Sequence, residues 1–179
     1  ELITTGYLPP DEIAPLAEPI PGRTSSQLSE IAKSHQVALA VGIAEEENGT
    51  RYNAMLLIGA DGRELLRYRK VHLWDTERSW ATAGDRFDVA ELGGVKVGMW
   101  VCYDSRFPEA ARTLAMGGAL LALVGSAWLG PADEWELAIR SRAMDNGIFV
   151  AASALQGEEY NGGSLIVDPH GRILAKSEE

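Results

Sequence analysis

The chain is predicted to adopt an α/β fold, because apolar runs of strand length alternate with stretches of helical periodicity. Two turn signals add antiparallel pairs to this pattern. The dipeptides Asp61-Gly62 and Gly93-Gly94 each separate two strand-like runs and therefore favour hairpins. The sequence thus predicts α/β layers with a mixed sheet and at least one sheet face covered by helices.

The first half of the chain is predicted to contain one helix and three strands. The helix is expected over residues 25–32, where apolar side chains recur at helical spacing, with Thr24 or Ser25 as its N-cap. A continuous apolar run and two shorter patterns predict strands over 37–43, 51–58 and 64–69. Residues 70–83 are expected to form a loop.

The second half is predicted to contain two helices between strands. A short strand over 87–90 and a longer one over 95–102 are expected on either side of the Gly-Gly turn. The helices are expected over 108–117 and 133–146, and Asn146-Gly147 provides a C-cap for the second helix. Further strands are expected over 120–124, 148–152, 163–167 and 172–175.

Composition and charge limit the class of protein. With 179 residues, 46% hydrophobic and 23% charged, the chain is expected to form a soluble, single globular domain over 1–179. A formal net charge of −10 leaves no basic stripe for nucleic acid. The single cysteine excludes an internal disulfide and favours a reducing, cytoplasmic location. No apolar run approaches the ~18 residues of a membrane span.

Both ends of the sequence suggest that further chain flanks it. The first residue is Glu1 rather than a methionine, and the segment that follows lacks the basic region of a signal peptide. The last residues come directly after a strand pattern. We therefore expect the domain to be partial at both ends.

Cys102 is a candidate nucleophile because of its position. It ends the apolar run that begins at Val95 and precedes a helix that begins near Pro108. A thiol at such a turn can face a cleft close to backbone N–H groups and to the positive end of a helix, which favours the thiolate. The alternative is that Cys102 is a small buried hydrophobe.

A nucleophilic thiol needs a base, and the residue types leave two choices open. His72 is the histidine candidate, because His35 and His170 are expected at the surface, and it would make the protein a Cys-His acyltransferase. The other choice is a carboxylate base with a lysine, such as Lys70, that stabilises the thiolate. The candidate carboxylates are Glu1, Glu77 and Glu109.

Five segments in chain order resemble the motifs of the nitrilase superfamily, the carbon-nitrogen hydrolases with a Glu-Lys-Cys triad. Three of them would carry the triad: Glu1–Tyr7, Arg69–Leu73 and Gly98–Glu109. Two later blocks, Arg140–Asn146 and Gly162–Ser164, are also similar to the family. The resemblance covers nearly the whole chain, and it implies a nitrilase-like α-β-β-α sandwich with mixed β-sheets.

The resemblance implies roles for four catalytic residues. Glu1 would be the general base, and Cys102 the nucleophile. Lys70 would stabilise the thiolate and the oxyanion of the intermediate. Glu77 would be a second glutamate that positions the substrate and Lys70.

Four further residues would bind the substrate. The backbone N–H of Tyr103 would complete the oxyanion hole, and Ala127 and Trp128 fall where the family lines its pocket. Arg106 is a candidate for binding a substrate carboxylate. The alternative, which is equally favoured, is that Arg106 is only a surface charge. No metal and no organic cofactor is expected.

The predicted reaction is hydrolysis of a small carboxamide to a carboxylate and ammonia through a cysteine thioester. Cys102 is followed by Tyr-Asp, which is more similar to the amidase and carbamoylase branches than the Trp-Glu of nitrilases. Alternatives are hydrolysis of an N-carbamoyl amino acid, an N-carbamoyl amine or a nitrile, and a non-catalytic interaction module. The expected partners are a small-molecule amide and further copies of the chain in a homo-oligomer, with no nucleic acid and no membrane.

Overall fold

The structure is a computed structural model, and it describes residues 1–177, which contain four α-helices and nine β-strands. Contacts divide the chain into two compact units. The N-terminal unit is Leu2–Arg86, and the C-terminal unit is Glu1 together with Phe87–Glu179. The predicted domain over 1–179 includes residues 178 and 179, which lie outside the described residues. That the chain forms a single domain stays a prediction.

The helices are short and the strands are mostly of ordinary length. Three 3-10 helices also occur within the described residues, at Ala14–Leu16, Asp75–Ser79 and Cys102–Arg106. The α-helices are α1 Pro10–Ile13, α2 Arg23–His35, α3 Pro108–Met116 and α4 Ala132–Asn146. The strands are β1 Leu39–Glu47, β2 Thr50–Ile58, β3 Glu64–Arg69, β4 Val89–Leu92, β5 Val95–Val101, β6 Leu121–Ser126, β7 Phe149–Ala154, β8 Leu165–Val167 and β9 Ile173–Lys176.

The N-terminal unit is built on an antiparallel sheet with the strand order β1-β2-β3. Helix α2 packs on this sheet, and Ala32 of the helix belongs to the same buried cluster as Ile43, Ala54 and Leu56 of the strands. The Asp61-Gly62 turn joins β2 to β3 as predicted, and β3 has the predicted bounds.

A buried carboxylate fastens the two outer strands of this sheet. Glu45 of β1 is completely buried and accepts hydrogen bonds from Arg67 at 2.9 Å and from Arg69 at 2.7 Å, both in β3. The bond to Glu45 raises the pKa of Arg69, although burial opposes this effect. The paired guanidinium groups compensate the cost of burying the Glu45 charge.

Three predictions for this half are wrong in detail. Helix α2 begins at Arg23, and Gly22 is its N-cap; the Ser25 hydroxyl instead accepts the Gly22 N–H at 2.8 Å. Strand β1 begins at Leu39 rather than at residue 37, because Val37 still closes the helix through its N–H bond to the Ala32 carbonyl at 3.0 Å. The predicted loop over 70–83 contains a 3-10 helix.

The C-terminal unit is built on a mixed sheet with the order β4-β5-β6-β7-β8-β9. Strands β5, β6 and β7 are parallel, and the outer pairs are antiparallel. Helices α3 and α4 pack against each other and against this sheet. The α/β class and the mixed sheet are therefore confirmed.

Several boundaries in this unit differ from the prediction. Strand β4 lies two residues later than expected, and β6 extends to Ser126. Cys102 does not belong to β5 but begins a 3-10 helix. Gly147 ends α4 in the left-handed conformation with a φ of 64°, as the predicted Asn-Gly cap requires.

Candidate active site

The carboxyl ends of the parallel strands β5, β6 and β7 meet at one edge of the six-stranded sheet. Cys102 directly follows β5, and Ala127 directly follows β6. The register pairs Val101 with Gly125, so the carboxyl ends of β5 and β6 lie side by side. In α/β proteins, ligands bind outside the carboxyl ends of parallel strands. This edge is therefore the candidate active site of the C-terminal unit.

Cys102 has a backbone conformation that residues with a side chain rarely adopt. Its φ is 45°, in the left-handed region, and the side chain is buried. The turn around it is fixed by the carboxylate of Asp104, which is completely buried and accepts the Val101 N–H at 3.0 Å. Residues held in such conformations cluster at functional sites.

Further contacts hold the turn that follows Cys102. The indole N–H of Trp100 donates to the Ser105 hydroxyl at 2.8 Å, and the guanidinium of Arg142 in α4 donates to the Ser105 carbonyl at 3.1 Å. Ser105, in the 3-10 helix that begins at Cys102, is thereby attached both to strand β5 and to helix α4. Such support fixes the position of a thiol.

Glu1 brings a carboxylate to the same edge of the sheet. Its side chain is buried, and its Oε2 accepts the backbone N–H of Ala127 at 2.9 Å. Glu1 and Cys102 are the predicted base and nucleophile. The C-terminal unit contains both.

Lys70 and Glu77 form a buried ion pair in the N-terminal unit. The Lys70 ammonium donates to Glu77 Oε1 at 2.7 Å, and each residue is only 1% exposed. Lys70 directly follows β3, and Glu77 lies in the 3-10 helix Asp75–Ser79. The two residues that the family resemblance assigned to oxyanion stabilisation and positioning are therefore in direct contact.

The Glu77 carboxylate also accepts hydrogen bonds from Tyr7, Asn53 and Trp74. The Tyr7 hydroxyl and the Asn53 amide donate to Oε1 at 2.9 and 3.1 Å, and the Trp74 N–H donates to Oε2 at 2.9 Å. Neither Tyr7 nor Asn53 was predicted from the sequence to be a functional residue. Of the two, only Asn53 has a feature that the sequence could have revealed, because its amide directly precedes the apolar run 54–58 of β2. In the structure Asn53 is completely buried, and a buried amide needs a hydrogen-bond partner.

The four predicted substrate-binding residues lie in the C-terminal unit. Tyr103 is half-buried in the 3-10 helix after Cys102, and Ala127 and Trp128 are buried. The exposed Arg106 guanidinium pairs with Glu134 and lies 5.2 Å from the Trp128 ring centroid. Its charge is thus already compensated, which favours the surface interpretation of Arg106.

Two polar atoms beside Ala127 are buried without a hydrogen-bond partner among residues 1–177. They are the Ser126 hydroxyl and the Trp128 indole N–H. Trp128 also lines a groove of about 300 Å³ with Arg106 and residues of α4. Most buried polar groups in proteins have a hydrogen-bond partner, so each exception needs a specific explanation. A bound ligand is one such explanation.

The three histidines differ in exposure. His35 and His170 are exposed as predicted, and His72 is half-buried in the N-terminal unit. In the described part of the chain, no group of histidine, cysteine, aspartate or glutamate side chains could hold a metal ion. No helix within residues 1–177 has the length and apolarity to cross a membrane.

The α/β fold is the one found in solved structures of amidases. The sequence matches the carbon-nitrogen hydrolase family over residues 1–179, and the chain belongs to this family. The predicted resemblance to the nitrilase superfamily is therefore confirmed.

Two relatives carry amidase names. The chain is 36% identical over 180 residues to an (R)-stereoselective amidase from Pseudomonas sp., covering 97% of this chain and 65% of that protein. It is 38% identical over 179 residues to omega-amidase NIT2 from Homo sapiens, covering 90% of this chain and 64% of that protein. The chain thus spans just under two thirds of the length of these relatives.

A solved structure of similar fold contains a modified cysteine. It is a mutant of the amidase from Nesterenkonia sp. AN1, with covalent addition of the acetamide moiety of fluoroacetamide at the active site cysteine. It superimposes with a TM-score of 0.82 at 28% identity, covering 97% of this chain and 66% of that one. This likeness agrees with the α/β fold described above.

Proposed function

We propose that the chain hydrolyses the carbon-nitrogen bond of a small carboxamide, with Cys102 as the nucleophile. One observation carries the proposal. Cys102 is held in a left-handed turn at the carboxyl ends of parallel strands, and the buried Glu1 carboxylate bonds to the neighbouring strand end. The amidase names of the relatives support the same reaction class.

In the first step, the thiol is converted into an acyl thioester. Glu1 accepts the Cys102 proton, and the thiolate attacks the amide carbon, so that a carbon–sulfur bond forms and an electron pair moves to the carbonyl oxygen. In this proposal the Lys70 ammonium and the Tyr103 N–H bind the oxyanion. When the oxyanion collapses, the carbon–nitrogen bond breaks, and Glu1 returns the proton to the departing ammonia.

In the second step, water releases the acid. Glu1 accepts a proton from the water, which attacks the thioester carbon, and the carbon–sulfur bond breaks. The products are the carboxylic acid, which ionises, and the regenerated thiol. The 2.7 Å bond from Lys70 to Glu77 supports a positioning role for Glu77, since it restricts the ammonium to one location. The expected homo-oligomer and cytoplasmic location stay predictions.

The test is ammonia release from butyramide by the purified chain and three variants. We expect Cys102→Ala to lose activity below detection and Glu1→Gln to lose about 10²–10⁴-fold, the range of general base catalysis. His72→Ala is the control and should retain most of the activity. An N-carbamoyl amino acid and a nitrile, measured in parallel, distinguish the alternative substrates.

Two results would overturn the proposal. The first is undiminished turnover by Cys102→Ala with a circular dichroism spectrum like that of the parent. The second is loss of activity in His72→Ala but not in Glu1→Gln, which would indicate a Cys-His acyltransferase.

A further inference from the structure

The 3-10 helix Cys102–Arg106 is held at both ends by Asp104. At its start, the Asp104 carboxylate accepts the Val101 N–H at 3.0 Å, and at its end the Asp104 carbonyl accepts the Phe107 N–H at 2.9 Å. Cys102 is the first residue of this short helix. Its position therefore depends on how the other residues of the helix are held.

The Ser105 carbonyl lies where the hydrogen-bonding pattern of this helix ends. The chain leaves helical geometry at Phe107, whose φ and ψ are −104° and 109°. The residue three positions after Ser105, which would continue the pattern, is Pro108, and proline has no N–H. Carbonyl groups at helix ends are often satisfied by side chains. Here Arg142 of α4 takes this role, because its Nε donates to the Ser105 carbonyl at 3.1 Å.

Both partners of this bond are shielded from water. Ser105 is completely buried, and its hydroxyl accepts the Trp100 indole N–H at 2.8 Å. The Arg142 side chain is only 12% exposed, and it also pairs with Asp145 at 3.3 Å. These two contacts orient the planar guanidinium. A buried carbonyl that lost its donor would be costly, so the bond has structural weight.

We propose that Arg142 is a positioning residue for Cys102, because its bond to the Ser105 carbonyl holds the 3-10 helix and thereby the left-handed conformation of Cys102. A φ of 45° at a residue with a side chain persists only where the surrounding structure imposes it. Asp104 holds the start of the helix, and Arg142 holds its end. This inference rests on the proposed amide hydrolysis and adds a residue that acts through Ser105 rather than on the substrate.

The test uses two substitutions of similar length at position 142. Glutamine places an amide nitrogen, and methionine a methyl group, as many bonds from Cα as the Nε of arginine. Arg142→Met should lower kcat for butyramide about ten- to hundredfold and leave KM within about threefold, because a reacting group displaced by about 1 Å can cost this much. Arg142→Gln keeps a donor without the charge, so its kcat should stay within about threefold of the parent.

The matched control is Arg140, which makes the same kind of bond from the same helix. Its Nε donates to the Gly171 carbonyl at 2.9 Å, in the turn between β8 and β9. Arg140→Met should keep kcat within about twofold, whatever it does to the melting temperature. Melting curves followed by circular dichroism show that each variant is folded at the assay temperature.

Three results would overturn the inference. The first is an unchanged kcat in folded Arg142→Met, and the second is an equal loss in Arg140→Met and Arg142→Met. The third is a change in KM alone, which would indicate contact with the substrate. If Arg142→Met is unfolded, Arg142→Gln decides: a kcat near that of the parent supports the inference, and a loss of about tenfold or more contradicts it.

The outcomes separate this inference from the proposed function. If the parent hydrolyses butyramide and Cys102→Ala does not, the proposed function stands whatever the Arg142 variants do. Arg142 variants without the expected pattern then overturn this inference alone. If the parent releases no ammonia from any amide tested, the proposed function fails, and this inference fails with it.

Discussion

At the scale of single residues, the Lys70–Glu77 pair shows how charge is held inside the N-terminal unit. Both side chains are withdrawn from water, and their Nζ–Oε1 distance is 2.7 Å. Burying such a pair contributes little to stability, because desolvation offsets the attraction of the charges. The bonds from Tyr7 and Asn53 to the same carboxylate instead fix its position, and through it the position of the ammonium.

Neutralising Glu77 should destabilise the unit strongly. Glu77→Gln removes the carboxylate charge that lies 2.7 Å from the buried Lys70 ammonium, and we expect a loss of about 3–5 kcal/mol in the free energy of unfolding, measured with urea. Glu47→Gln is the matched control in the same unit, because Glu47 pairs with Arg69 at 3.0 Å but is about half exposed. It should cost at most about 1 kcal/mol. Similar small losses in both variants would contradict the account of the buried pair.

Sequence patterns predicted the charged residues of this cluster but not their uncharged partners. Glu77 and Lys70 lie in motifs that resemble a family. Tyr7 is separated from Glu77 by 70 residues and Asn53 by 24, so no local periodicity connects them. Contacts of this kind depend on the tertiary fold.

At the scale of elements, the packing of α3 against β5, on either side of the Cys102 turn, depends on one glycine. A Cβ at Gly98 would lie 2.5 Å from Leu114 Cδ2, so α3 packs against β5 at a distance that only glycine permits. This packing sets where the chain leaves the strand toward Cys102. Gly98 therefore has a structural role within the nucleophile motif.

Gly98→Ala should cost about 1–3 kcal/mol, the usual range for overpacking a core, in the free energy of unfolding. The double variant with Leu114→Ala should lose less than the sum of the two single losses, because the shorter side chain makes room for the new methyl group. Gly157→Ala is the control, since its Cβ would meet Tyr160 at an ordinary 3.6 Å. Additive losses in the double variant would show that the two residues do not compete for space.

The element boundaries show which local sequence signals were sufficient to predict where a helix or strand begins or ends. Helix α3 begins at Pro108 as predicted, because proline suits the first turn of a helix. The end of α2 was missed, since the left-handed residue there is Gln36, with a φ of 52°, rather than a glycine. The same applies to Cys102, whose φ of 45° ended β5 one residue early. Left-handed residues other than glycine leave little trace in a sequence.

At the scale of the whole molecule, the predicted residues are divided between two compact units. Glu1 and Cys102 belong to the C-terminal unit, and Lys70 and Glu77 belong to the N-terminal unit. All four residues are buried, and hydrogen bonds hold Lys70, Glu77 and Glu1. The fold class and the family followed from sequence. The proposed reaction uses residues of both units. The central claim of the proposal is that a thioester forms at Cys102.

The most direct test of that claim is mass spectrometry after a rapid acid quench of a single turnover, with the protein in excess over butyramide. We predict a butyryl group on the peptide that contains Cys102, formed during turnover and removed by hydroxylamine, which cleaves thioesters. The Cys102→Ala variant should show no such group. Full conversion of butyramide with Cys102 unmodified at every time point, or a butyryl group on another residue, would contradict the account.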